Sequence, residues 1–193
     1  MKKISFALIV LLVVVVFTSG CTNQNPTNQI LTNYYNSSSV FFNYPDTWDV
    51  ARSIEVAGAE VVIVTDPTAS KYINESTTRE DLESLNITNG TVFIYIKIPK
   101  TPDVNINSTV TEILQRLTQK GGKITQTTTT NVSGIVANET ALTRTNEGAT
   151  SEGKIIAFEK NDNIYALILV TAGNTYESQK KNFDLILNSL KVT

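Results

Sequence analysis

Residues 91–100, TVFIYIKIPK, form the stretch on which the fold depends. The predicted strand is apolar on both sides, with Val92, Ile94, Ile96 and Ile98 on one side and Phe93 and Tyr95 on the other. A strand of this kind must be covered on both faces. The stretch therefore predicts a central strand in a sheet that lies between two covering layers.

Other segments repeat this pattern and show how the sheet is connected. Val61–Val64 and residues 163–173, NIYALILVTAG, are also apolar at both parities. The second segment follows GKIIAFEK across Asn161 and Asp162, a good pair for a tight turn. Ser133-Gly134 separates two polar strands predicted near a sheet edge. Because consecutive strands are joined mainly by turns, we expect about eight strands with largely antiparallel pairing.

Two helices are predicted to supply the cover. Thr109-x-x-Glu112 reads as a capping box before an apolar stripe, and Gly121 stands where a left-handed cap is expected. Asn174-x-x-Glu177 is predicted to open a C-terminal helix. A further short helix is predicted near residues 79–85. The expected fold class is α/β, in the α+β sense: a central antiparallel β-sheet sandwiched by helices.

The N-terminus has the layout of an export signal. Lys2 and Lys3 precede the apolar run 4–17, and small residues lead to Cys21, the only cysteine. This resembles the lipobox of exported lipoproteins, with Thr18 where leucine is usual. We expect a signal peptide over 1–20, a lipid-anchored flexible tether over 21–33 and a domain over 34–193. The alternatives are a plain cleavage site with an incidental cysteine, and a leader retained as a membrane anchor.

Seven N-x-S/T sequons are candidates for glycosylation, because such sequons mark exposed loops in exported proteins. The chain is rich in Asn, Ser and Thr, so several of them arise by chance. They lie at Asn36, Asn74, Asn86, Asn89, Asn107, Asn131 and Asn138.

The composition argues against most catalytic and metal chemistry. The chain has 193 residues, a formal net charge of −2 and no histidine, so the commonest general base and metal ligand is absent. The cluster Glu80, Asp81 and Glu83 is more simply a solvated face, and Ser70-Lys71 is a weak pair. Asn161-Asp162-Asn163 matches no calcium loop. We expect no enzyme, no metal, no cofactor and no nucleic-acid partner.

Aromatic residues near the domain's start are the remaining candidates for a binding surface. Trp48 and Phe41 are expected to pack in the core. Tyr34 and Tyr35, beside the tether, are expected to be exposed.

Two stretches resemble the PsbP-like family, which is named for an extrinsic subunit of photosystem II and shares its fold with a group of Ran-binding proteins. They are Phe42-x-Tyr44-Pro45-x-x-Trp48 and Phe183-x-x-Ile186-x-x-Ser189-Leu190. The chain looks in particular like the archaeal PsbP-related lipoproteins, over about Tyr34 to Val192. The resemblance implies an antiparallel sheet between helices and an accessory role. The photosynthetic members help retain calcium and chloride at a manganese cluster, but histidines proposed to bind metal in some members have no counterpart here.

Three hypotheses about function follow. The first is a lipid-anchored accessory protein on the extracytoplasmic face of the cell membrane, held by lipid on Cys21 and bound to an envelope protein. The second is an envelope enzyme that acts on glycans through carboxylates. The third is a glycosylated structural surface protein without a dedicated ligand.

Overall fold

The computed structural model describes residues 31–73, 89–119, 121–146, 148–173 and 175–193. Within them lie two α-helices, α1 (Ile106–Gln119) and α2 (Tyr176–Ser189), and a 3-10 turn at Ala69–Lys71. No helix of these residues is long and apolar enough to cross a bilayer. The helix predicted near 79–85 lies outside the described residues. The strands are β1 (Thr32–Asn36), β2 (Val40–Pro45), β3 (Asp49–Val56), β4 (Ala59–Thr65), β5 (Thr91–Pro99), β6 (Gly122–Val132), β7 (Ile135–Asn146), β8 (Ala149–Lys160), β9 (Asn163–Ala172) and β10 (Lys191–Val192).

Seven strands form the main sheet, in the order β3-β4-β5-β9-β8-β7-β6. All of its pairings are antiparallel, and the stretch quoted first, β5, lies between β4 and β9. The long pairing of β5 with β9 joins the two halves of the sheet. The polar strand β6 lies at the edge, as its sequence predicted. The predicted central antiparallel sheet is therefore confirmed.

Each face of this sheet has its own hydrophobic core. On the first face, Val62, Phe93 and Tyr95 pack with Phe183 and Ile186 of α2. On the second face, Ile63, Val92 and Ile94 pack against the apolar side of α1. The double cover follows from strands that are apolar at both parities.

A second sheet of three strands, β1-β2-β10, completes the cover of the first face. Phe42 points inward and meets the ring of Phe93 at 5.3 Å between centroids. Trp48, only 2% exposed, packs edge-on against Phe183, so its predicted place in the core is confirmed. Strand β1 begins at Thr32, two residues before the predicted start of the domain at Tyr34.

Three hairpins use turns of the same kind. Ala57-Gly58, Ser133-Gly134 and Asn161-Asp162 each have positive φ at both central residues. This is the type I′ geometry, whose twist matches that of the flanking strands. The predicted tight turn at Asn161 and Asp162 is confirmed.

The start of α1 differs from the prediction. Asn105 and Ser108 cap the helix reciprocally, because each side chain accepts the backbone N–H of the other at 3.0 Å. Thr109 is therefore inside the helix and buried, and the capping box predicted at Thr109-x-x-Glu112 was wrong. Gly121 does adopt a positive φ of 87° after the helix, as expected. For α2, the predicted cap Asn174 lies outside the described residues, and Thr175 precedes the first turn.

Candidate functional site

A buried carboxylate, Glu60, occupies a position on β4 that its sequence neighbours assign to the core. It shares the parity of Val62 and Val64, whose side chains are fully buried, and it is itself only 3% exposed. The Ser39 hydroxyl donates to Glu60 Oε2, and the Tyr35 hydroxyl donates to Oε1 at 3.2 Å. Two neutral donors on the β1–β2 hairpin therefore hold a carboxylate of the main sheet.

Tyrosine side chains surround this contact. The Tyr95 hydroxyl lies 3.4 Å from Ser39 Oγ, and the Tyr95 ring is 6.2 Å from that of Tyr165. Burial raises the pKa of Tyr95 above its ordinary value, and the Glu60 carboxylate raises it further. The same two causes, in the same order, raise the pKa of Tyr165. The cluster keeps its phenols neutral and able to donate hydrogen bonds.

The cluster has the character of a sealed structural contact. Tyr95 is fully buried and Glu60 nearly so, and the described residues around them leave neither side chain open to a substrate. The strand register places Glu55 opposite Glu60, but Glu55 is exposed while Glu60 is covered by Ser39. The pair is therefore not the open pair of carboxylates that glycan cleavage requires. No group of three or more metal-ligating side chains occurs among the described residues.

A second polar group lies beside α2 on the same face of the main sheet. Lys154 Nζ contacts Glu139 Oε1 at 2.7 Å and stands 5.3 Å from the ring centre of Tyr176. Burial raises the pKa of Tyr176, and the Glu139 carboxylate adds to the increase. This pair fixes the first turn of α2 against strands β7 and β8.

An exposed aromatic surface lies on the three-stranded sheet. Tyr34 is 68% exposed and stacks on Phe41 at 6.1 Å, while Lys191 Nζ lies 5.7 Å from the Phe41 ring centre. We call this surface the outer face; the register places on it Tyr34, Asn36, Phe41, Asn43 and Lys191. Lys191 is the only charged residue of the three strands.

The outer face corrects two sequence predictions. Phe41 is half-buried on this surface and not in the core, because its neighbour Phe42 takes the inward parity. Tyr34 is exposed as predicted, but Tyr35 is half-buried and its hydroxyl contacts Glu60 and Ser53. Alternation along β1 separates the two tyrosines onto opposite faces.

The predicted modification sites divide between described and undescribed residues. Cys21, Asn74 and Asn86 lie outside the described residues, as do Glu80, Asp81 and Glu83. The other five sequon asparagines are all exposed: Asn36, Asn89, Asn107, Asn131 and Asn138. Ser70 donates to the Pro67 carbonyl at 3.2 Å, a local turn contact.

Sequence reasoning missed Glu60. The available signal was parity, since a glutamate two residues before Val62 falls on the same face as buried positions. The partners that hold it, Tyr35 and Ser39, come from another sheet, and local sequence does not reveal that contact.

Comparison with known proteins places these features in a family. The family model described as "PsbP-like protein" matches residues 4–192. No curated protein matches the chain. The chain is similar to the solution structure of cyanobacterial PsbP (CyanoP) from Synechocystis sp. PCC 6803, with 13% identity and a TM-score of 0.51, covering 90% of this chain and 99% of that one.

Two other solved structures show weaker likeness. LpqN of Mycobacterium tuberculosis, described as involved in cell envelope biogenesis, has 11% identity and a TM-score of 0.49, with coverage of 86% and 92%. The Ran-binding protein Mog1p of Saccharomyces cerevisiae has 11% identity and a TM-score of 0.45, with coverage of 84% and 96%.

Proposed function

We propose, from the premise that the chain belongs to the PsbP-like protein family, that it is a lipid-anchored accessory protein on the extracytoplasmic face of the cell membrane. In this role the domain binds a protein partner of the envelope and carries out no catalysis of its own. The lipid is attached to Cys21.

The observation that carries the proposal is the order of features at the N-terminus. A basic pair, an apolar run and small residues end at the only cysteine of the chain. An uncharged segment, 22–33, follows it, and β1 begins at Thr32. A peptidase that cuts before a lipidated cysteine requires this order, and a tethered domain requires an uncharged, flexible joint.

For this partner we propose a binding place at the β6 edge of the main sheet. The central strands of the main sheet are covered on both faces, so the partner contacts an edge or an outer surface. Strand β6 pairs only with β7, and residues 124–131 of this edge carry no charge. Its side chains from Lys123 to Thr129 are exposed. The stretch 124–131, without charge or proline, is a template for a strand from another chain.

One feature of the β6–β7 hairpin favours the alternative of a glycosylated structural surface protein. Asn131 on β6 and Asn138 on β7 are exposed sequon residues near its turn. A glycan at Asn131 would stand beside the β6 edge and shield it from a partner strand. Occupied Asn131 therefore favours the structural surface protein, and unmodified Asn131 favours the accessory protein.

The experiment compares the wild-type protein with Cys21→Ser in native membranes after brief crosslinking. We expect wild type in the membrane fraction with lipid on Cys21, and Cys21→Ser either unprocessed or released. We also expect a recurrent companion of wild type, crosslinked through peptides from 122–132. Unchanged processing and membrane retention of Cys21→Ser would refute the lipid anchor. An anchored protein without a companion would refute the accessory role alone.

A further inference from the structure

The outer face is unusual for a surface that meets only water. Two aromatic rings stack on it, and Lys191 lies over one of them. Its remaining members, Asn36 and Asn43, are uncharged. Aromatic rings with a polar tip, together with lysine, are the side chains that proteins place at the boundary between lipid headgroups and water.

The connection to Cys21 is short. Nine residues, 22–30, lie between Cys21 and Leu31, where the described domain begins, so ten Cα–Cα steps join the two. A chain of ten steps reaches at most about 35 Å when fully extended, and a random coil of the same length spans about 17 Å on average. Strand β1 starts directly after it, and Tyr34 is its third residue. A lipid on Cys21 would therefore keep the three-stranded sheet close to the membrane surface.

We propose that the outer face lies against the headgroup layer of the membrane to which the chain is anchored. This inference rests on the proposed lipid anchor. Tyr34 and Phe41 enter the interface, and Lys191 contacts anionic headgroups. The lipid and the face then act as two weak attachments in one molecule, which together hold the domain in one orientation.

The size of the face favours lipid over a protein. Three short strands present an area of about 20 Å by 15 Å, or about 300 Å², whereas a stable protein interface buries about 800 Å² on each partner. Its charge also suits an anionic surface, since Lys191 is the only charge of the three strands. Asp46 follows β2 at the end of the sheet where the segment from Cys21 enters, so the anchor holds that end of the face and Lys191 contacts headgroups at the other end.

Asn36 provides a direct check of this orientation. It shares the outer face with Phe41, its partner across the strand pair. A glycan on Asn36 would hold the face away from lipid. We therefore expect Asn36 to be unmodified in membrane-bound protein, and a peptide that shows full occupancy of Asn36 would overturn the proposal.

The decisive test measures the depth of single labels on the full lipidated chain in vesicles of anionic and zwitterionic lipid. Asn36→Cys carries an environment-sensitive dye on the outer face. Thr111→Cys carries it at an exposed site on α1, which covers the opposite face of the main sheet. Circular dichroism establishes that both variants are folded.

We expect a headgroup-depth quencher to quench the Asn36 label several-fold more than the Thr111 label. Adding Phe41→Ser or Lys191→Glu should reduce that difference, the second only in anionic vesicles. Equal quenching of the two labels on membrane-bound protein would overturn the orientation and leave the anchor intact. A photo-crosslinking group attached to Asn36→Cys in place of the dye that captures a second protein copy would assign the face to protein contact and also overturn the proposal. Protein that fails to bind vesicles at all would refute the anchor itself.

Discussion

Glu60 is a charged residue held in the protein interior by neutral hydroxyl groups. None of the ion pairs among the described residues includes it. A buried carboxylate is costly unless hydrogen bonds replace its water, and here Ser39 and Tyr35 do so. Because both donors lie on the β1–β2 hairpin, Glu60 stabilises the attachment of the small sheet to the main sheet.

Removing this carboxylate should destabilise the protein. Glu60→Ala deprives the hydroxyls of Ser39 and Tyr35 of their acceptor, and we expect the free energy of unfolding to fall by about 1–3 kcal/mol. Glu60→Gln keeps an acceptor oxygen and should lose less. Urea denaturation measures both changes.

The matched control is Glu55→Ala, which removes an exposed carboxylate directly opposite on β3. Exposed substitutions of this kind usually change stability by less than about 0.5 kcal/mol. If Glu60→Ala and Glu55→Ala had the same small effect, the buried contact would not contribute to stability.

Individual residues were predictable where one local rule decided their place. Trp48 is buried as its position after the Pro45 turn indicated. The prediction that Phe41 lies in the core was wrong, because Phe41 and Phe42 are adjacent on one strand and cannot both face inward. Only the register with β1 and β10, which the sequence does not contain locally, decides which of them does.

At the scale of elements, the closing helix explains the second of the two family stretches. Phe183, Ile186 and Leu190 are each at most 1% exposed. Ser189 contributes differently, because its hydroxyl accepts the backbone N–H of Asn43 at 2.8 Å. Strand β10 pairs with β2 only at Val40 and Phe41, so Ser189 satisfies a β2 donor beyond the end of that pairing.

The β3–β4 turn does not have the residue pair that its backbone conformation favours. Ala57 has φ 51° and Gly58 has φ 82°, the conformation for which Asn-Gly is the preferred pair. We expect Ala57→Asn to raise the free energy of unfolding by up to about 1 kcal/mol, because alanine is disfavoured in the left-handed region. Thermal and urea unfolding measure the change.

Ala57→Val is the opposing control at the same site. A β-branched residue is strained at positive φ, so this variant should be less stable than wild type. A loss of stability in Ala57→Asn equal to that in Ala57→Val would show that the turn does not depend on left-handed backbone preference.

The elements were largely predictable because each carries a local signal. Runs of residues apolar at both parities indicated β4, β5 and β9, and turn pairs indicated the hairpins. The cap of α1 was misplaced because Asn105-x-x-Ser108 and Thr109-x-x-Glu112 both resemble caps. The hydrogen bonds of Asn105 show which one the chain uses.

At the scale of the whole molecule, the arrangement depends on contacts distant in sequence. The pairing of β5 with β9 and that of β2 with β10 each join residues far apart along the chain. Strands that are apolar on both sides predicted two covering layers. They did not predict that a second, three-stranded sheet forms part of the layer on the first face. The outer face exists only because β1, β2 and β10 meet, and local patterns could not reveal it.

The buried tyrosines of the first face make the stability of the protein depend on pH. Burial raises the pKa values of Tyr35, Tyr44, Tyr95, Tyr165 and Tyr176 in the folded protein. In the unfolded chain tyrosine ionises near pH 10. The stability that comes from neutral buried phenols is therefore fully present below about pH 10 and is lost as the pH rises from there toward the folded pKa values.

We expect the free energy of unfolding, measured in urea, to decline increasingly steeply as the pH rises above about 10, because the unfolded tyrosines ionise while the folded ones stay protonated. Tyr95→Phe keeps the ring and removes one ionising group, so its decline should be shallower than that of wild type. Ile156→Val trims the same core without a titrating group and should lower stability equally at each pH. A decline in Tyr95→Phe as steep as in wild type would show that the phenol of Tyr95 does not couple folding to pH.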